Sequence, residues 1–405
     1  MNIRRIAAVL AATAVLGTVT APVALADQAA GTPSPSPSAK LPTGLYGTTD
    51  PTYDGVWRQS LAMLAQDTAE VVPAAAAVDW LTGQQCANGA FAAYRAAPDA
   101  PCDAKTPVDT NSTAAAVQAL AALGGQDDAT RDAVDWLTSV QNADGGWGYL
   151  PGAPSDTNST GLVIGALTAT GARPAQVRSA EGTTPHDALL ALTVPCTAAE
   201  GGGAFAYQPD KKGALVANDD ATAAGVLGGL DRTLAPTAAP DAAPRDCAKP
   251  RTAEEAARDG AAHLAGALKA DGHLGSSLPG AEDQPDHGNT ADAVVALAAA
   301  GLGDRAAPAV TWLERNSVDW AKQTGPAAWA QLVLAAHATG ADPRDFGGTD
   351  LVAGLNATGP EPSAARDEAT GKDGDDGPAA VWIIGPALLL GAGIGFLVSR
   401  RKRQQ

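Results

Sequence analysis

Apolar residues in this chain recur at helical spacing in two kinds of segment. One kind carries Ala77-Val-Asp-Trp-Leu81, which returns as Ala133-Val-Asp-Trp-Leu137 and, altered, as Ala309-Val-Thr-Trp-Leu313. The other opens with Asp109-Thr-Asn-Ser-Thr113, which returns as Asp156-Thr-Asn-Ser-Thr160, and continues as an Ala/Leu/Val run to a glycine stop at Gly124 or Gly171. The two strings repeat 56 and 47 residues apart, so the chain predicts tandem helix pairs joined by loops of variable length. A glycine-rich turn with an aromatic links the helices of a pair: Asn88-Gly-Ala-Phe91, Asp144-Gly-Gly-Trp147 and Gly202-Gly-Ala-Phe205. The second helix of each pair has very few charges and is expected to be the inner one.

Degenerate copies extend the pattern. Asp219-Asp-Ala-Thr222 and Asp286-His-Gly-Asn-Thr290 align with the Asp-Thr-Asn-Ser-Thr string when their apolar helices are superposed. Tyr53 to Gln66 reads as a worn first inner helix and Trp329 to Gly340 as the last. Six inner segments in roughly 310 residues fall within the range of helical repeats.

These repeats resemble the α/α-toroid superfamily: terpenoid cyclases, protein prenyltransferase β subunits, complement-type thioester domains and the cobalamin carriers of the transcobalamin and intrinsic factor group. The resemblance covers residues 46–355 and implies an all-α, closed α/α toroid of about six helix pairs; an open α-solenoid is the rival. It implies no single activity, because these relatives do unrelated things.

The ends frame the repeat domain. Residues 1–26 read as a signal peptide, with Arg4 and Arg5, an apolar run and Ala24-Leu-Ala26. Residues 27–45 are a Pro/Ser spacer and 356–378 a Gly/Pro/Asp stalk. Residues 379–399 lack charge and are long enough for a transmembrane helix; the basic 400–405 tail is expected in the cytoplasm. The expected product is a single-pass protein of the cell membrane with its repeat domain extracellular. Leu355-Asn-Ala-Thr-Gly359 offers a competing, sortase-type reading of this end.

A net charge of −17 argues against nucleic acid as a partner. Four cysteines in an exported domain favour disulfides, for which three pairings exist. Cys86 with Cys102 and Cys196 with Cys247 are preferred, because each pair brackets a loop insertion within one repeat. No metal site is expected, since no Cys-x-x-Cys is present and no histidine stands at ligand spacing from a cysteine.

Catalytic signatures of the resembled families are missing. Ala217-Asn-Asp-Asp220 lacks the first acid of the cyclase Asp-x-Asp-Asp motif, and the literal match at Asp373-Gly-Asp-Asp376 falls in the stalk. No thioester string occurs, and no catalytic residue is assigned. The recurrent aspartates Asp109, Asp156, Asp219 and Asp286 read first as helix caps. In a ring they would also converge on one rim, joined by Asn111, Asn158 and the aromatic Trp147, and such a rim suits an amide- or hydroxyl-rich ligand.

The cobalamin carriers start their inner helices with a similar Asp-Thr pattern, and the resemblance implies a corrinoid as one candidate ligand; no cofactor is required. The resulting expectation is a non-catalytic, membrane-tethered binding protein that presents a small extracellular ligand to a membrane importer. The alternatives are an extracellular enzyme acting on cell-wall polysaccharide through Asp156 and Asp219, and a scaffold or adhesion module.

Overall fold

The structure, a computed structural model, describes residues 42–363 apart from 244, 278–280 and 282–283. In chain order its helices are α1 (Gly55–Thr68), α2 (Ala75–Gly83), α3 (Thr110–Leu123), α4 (Asp127–Ser139), α5 (Thr157–Ala169), α6 (Pro185–Ala191) and α7 (Asp219–Gly229). They continue as α8 (Ala253–Ala267), α9 (His287–Ala299), α10 (Gly303–Asn316), α11 (Val318–Thr324), α12 (Pro326–Thr339) and α13 (Leu351–Asn356). A two-residue hairpin, β1 (Leu274–Gly275) and β2 (Pro285–Asp286), leads into α9.

Six helices close on themselves. α1 packs on α3, α3 on α5, α5 on α7, α7 on α9, α9 on α12, and α12 back on α1. An open solenoid would leave α1 and α12 without that contact, so the fold is the closed α/α toroid. The inner helices are the Ala/Leu/Val segments, and their residues are buried almost throughout. The outer α2, α4, α8 and α10 bury one stripe only, which in α4 consists of Thr130, Ala133, Trp136 and Leu137.

One hydrogen bond explains the repeated string. Thr113, Thr160, Thr222 and Thr290 each accept, through Oγ1, the backbone N–H of Phe91, Trp147, Phe205 and Leu274, at 2.9, 3.0, 3.0 and 3.0 Å respectively. The turn is thereby fixed to the start of the inner helix that follows it. Repeats are tied to one another by the inner-helix amides: Thr110 N donates to Tyr149 O and Thr157 N to Tyr207 O. Glycine in the turn has a local reason. Gly89 and Gly145 both stand at φ +90°, and a Cβ there would lie 2.0 Å from Asp132 O and 2.3 Å from Thr184 O, where the next outer helix passes.

The ring is sealed where its ends meet. Gly47 N donates to Thr358 O at 2.7 Å, Gln66 Nε2 to Asn356 Oδ1 at 2.7 Å, and Ser363 N to Val72 O at 2.9 Å. The sortase-like string is part of this seal: Leu355 is fully buried and Gly359 packs against the Tyr46 ring. The fold therefore takes in chain from both the expected spacer and the expected stalk. Cys86–Cys102 and Cys196–Cys247 form the two disulfides, the preferred pairing, and no described cysteine is free.

Among the described residues no helix is long and apolar enough to cross a membrane. The signal peptide at 1–26, the span at 379–399, the basic tail at 400–405 and Asp373-Gly-Asp-Asp376 all lie outside the described residues.

Candidate functional site

A cavity of about 370 Å³ occupies the centre of the ring, and every inner helix contributes to its wall. Its apolar bed is made by Leu61, Leu162, Leu227, Val295 and Leu334. Arg232, Thr233 and Leu234, on the loop that leaves α7, close its base, and Leu234 N is held by Gln118 Oε1 at 2.8 Å. This loop then runs past the ends of other inner helices, with Ala239 N bonded to Ala298 O and Ala242 N to Gly301 O. Tyr53, Asp54, Asp109 and Tyr149, which lead into helices or lie in rim loops, line it from the side of the helix N-termini.

The expected rim residues separate into two groups. Asp109 caps α3 by accepting from Ser112 N at 2.6 Å, and it also faces the cavity. It is only 2% exposed, and its Oδ2 has no hydrogen-bond partner among the described residues. Burial raises its pKa above the ordinary carboxylate range. Asn111 and Asn158 also line the cavity, and the buried Oδ1 of each is unpartnered.

The other expected residues do not line it. Asp156 caps α5, accepting from Ser159 N at 2.7 Å and Ser159 Oγ at 2.9 Å, with Tyr207 Oη at 3.5 Å. Asp286 caps α9 through Asn289 N at 3.0 Å and also accepts from Asn289 Nδ2. Asp219 is not a cap: Asn218 Oδ1 takes that role from Ala221 N at 2.7 Å, which shifts the alignment of this repeat by one residue. Asp219 instead meets His263 Nε2 at 2.8 Å outside the cavity. Trp147 is a packing residue, fully buried, with Nε1 donating to Leu137 O at 2.7 Å. A ring enclosed in that way has no face left for a ligand.

Three cavity carboxyls, Asp54, Asp220 and Asp292, were not anticipated. Asp220 accepts from Asn158 Nδ2 at 2.6 Å, and burial raises its pKa. Asp292, in the body of α9, receives Gln331 Nε2 on both oxygens, at 3.2 and 3.0 Å. Burial first, and then the nearby Asp220 charge, push its pKa up to about 7. Asp292 therefore takes up its proton far above the ordinary carboxylate range. The signal was present in the sequence: Asp292 is the only acid inside an otherwise uncharged inner helix, and Gln331 and Gln118 are the lone polar residues deep within theirs.

No metal grouping forms in the cavity. Among the described residues, the single cluster of three possible ligands is Cys196, Cys247 and Asp259, and its sulfurs are consumed in the disulfide.

No family model matches the sequence, and no curated protein is similar to it. Solved structures are similar at low identity. A protein from Actinoplanes matches over 73% of this chain and 92% of its own, at 17% identity and a TM-score of 0.48. A sugar epimerase from a ruminal bacterium matches over 75% and 94%, at 14% identity and 0.48. The ent-copalyl diphosphate synthase from Streptomyces platensis matches over 71% of this chain, at 16% identity and 0.47, and this chain spans 50% of that enzyme. Likeness at this level carries no argument about activity.

Proposed function

We propose that the protein captures a small ligand in the central cavity of the ring, polar end toward Asp109, Asn111 and Asn158 and apolar body against the leucine bed. The observation that carries this reading is the polar side of the cavity: Asp109, Asn111 and Asn158 line it, and one side-chain oxygen of each has no hydrogen-bond partner among the described residues. A buried polar atom left unpaired costs about 1–3 kcal/mol, and a ligand bearing N–H or O–H groups would recover it. A volume of about 370 Å³ lies at the small end of ligand pockets, so the corrinoid expectation narrows to a ligand seated at the mouth rather than enclosed. In this reading the charge-free 379–399 segment would keep the captured ligand near a membrane partner such as an importer.

Ligand-observed NMR of the full chain with a set of small amides, alcohols and amines tests the reading. Binding should vanish in Ala224→Phe, which places a ring in the cavity. A set in which no compound shows binding sensitive to Ala224→Phe would overturn it.

A second reading rests on Asp292. A cavity carboxyl whose pKa is raised to about 7 is suited to proton transfer, with Asp220 beside it as the second acid. The enzyme alternative thus passes from Asp156 and Asp219 to Asp220 and Asp292. Turnover of a cavity-binding compound that is abolished in Asp292→Asn, with binding retained, would establish it.

A further inference from the structure

The cavity that serves the capture reading is also unbalanced in charge. Asp54, Asp109, Asp220 and Asp292 line it, against one cation, Arg232 at the base. Arg232 is shared with a neighbouring surface pocket lined by His186, Asp231 and Arg258. Only Asp54 has a cation of its own, Arg58 at 3.3 Å. Asp220 and Asp292 have amide partners instead, Asn158 and Gln331, and amides stabilise a carboxylate less than a charge does.

An acidic wall alone would say little. A second observation points to a ligand: Asp109, a residue of this same wall, is 2% exposed, and its Oδ2 has no partner among the described residues. The aromatic rings Tyr53, Trp57 and Tyr149 line the cavity too, and aromatic faces attract cations. A compact metal ion is disfavoured, because no three of these carboxyl groups approach closely enough to share one. The leucine bed calls for an alkyl or aryl body.

Resting on the capture reading, we propose that the ligand is a small organic cation, a protonated amine on an apolar body, with its ammonium neutralising Asp220 and Asp292 and its path flanked by Tyr53, Trp57 and Tyr149. These half-buried acids then have a purpose that capping does not supply. Each is held by a neutral amide, oriented yet uncompensated, until a positive charge arrives. The charges acting on Asp292 are those of Asp220 and Asp286, both acids, so nothing near it substitutes for the ligand.

The test uses the full chain with 4-phenylbutylamine and its neutral counterpart 4-phenylbutanol as calorimetric probes. At pH 8 the amine should bind at least about tenfold more tightly than the alcohol, since only it meets the cavity acids as a charge. From pH 8 to pH 6 the amine should weaken about tenfold, because binding must then displace the Asp292 proton, and the alcohol should not. Asp220→Asn and Asp292→Asn, which keep shape and are checked for folding by thermal melting, should each weaken the amine and leave the alcohol unchanged. Equal affinity for both probes, lost in Ala224→Phe, would overturn the cation inference and leave cavity capture standing. Failure of both probes to bind overturns the cation inference, and the wider compound set then decides capture separately.

Discussion

Gln331 on α12 and Asp292 on α9 face each other across the cavity wall, with one amide nitrogen reaching both carboxyl oxygens. The pairing orients the acid without neutralising it. Asp292 is half-buried at the cavity wall, and desolvation there raises its pKa from the ordinary 3.8 to about 7. Between those values the folded chain binds a proton that the unfolded chain has released, so stability falls as pH rises through this window. Above pH 7 the whole penalty is present. Asp292→Asn should therefore be more stable than the parent at pH 8, by on the order of a few kcal/mol, and nearly equal to it at pH 4. Urea unfolding at both pH values checks this, and parallel pH profiles for the two proteins would refute it.

The threonine that ends each Asp-Thr-Asn-Ser-Thr string has a measurable role. Thr160 is fully buried and its Oγ1 is the acceptor for Trp147 N. Thr160→Val preserves shape and strands that amide, which should cost about 1–3 kcal/mol. The same change at the exposed Thr138, which only bonds back to Val134 O in its own helix, should cost well under that. Equal losses at the two positions would remove the threonine from the account of the repeat.

The disulfides should contribute unequally. Cys196–Cys247 closes a separation of 51 residues and Cys86–Cys102 one of 16, so loop entropy gives about 4 and about 3 kcal/mol. Paired Cys→Ala variants, compared by chemical denaturation, measure each. Titration of the denatured, unreduced chain should find no thiol.

Asp259 on α8 is buried beside the second disulfide, and Arg245 Nε approaches it at 2.9 Å. Arg245→Ala would leave a buried carboxylate without its cation. A fully buried pair loses about 3–5 kcal/mol in this way, and the partial exposure of Arg245 brings the expected loss to about 2–3 kcal/mol. Adding Asp259→Asn should recover part of it. If the double variant is no more stable than Arg245→Ala alone, the carboxylate charge is not what Arg245 answers.

The ring was legible because its repeats keep the residues that fix turn to helix. Asp109, Asp156 and their following threonines mark inner-helix starts, and the uncharged runs mark which helices are inside. The site was less legible. Superposing Asp219 on Asp109 misplaced the third cap by one residue, because Asn218 caps as well as aspartate does and two acids follow it. Cap position also says nothing of how the second oxygen of a carboxylate is used: Asp109 Oδ2 has no hydrogen-bond partner among the described residues, while Asp156 uses both oxygens on Ser159. Asp292 stands at no repeated position, and a cavity acid need occur once only. The loop that closes the base is held largely by backbone bonds to Ala298 and Gly301, which leave no mark in side-chain sequence.

The seal between Gly47 and Thr358 and between Val72 and Ser363 also means that chain order is incidental to this shape. Each inner helix has a neighbour on both sides, and the last leans on the first as any other pair does. A gene rewritten to join these two edges by a short linker, and to open instead at the exposed Asp210–Gly213 turn, would keep every inner-helix contact. Such a permuted molecule would be the same wheel cut at a different spoke.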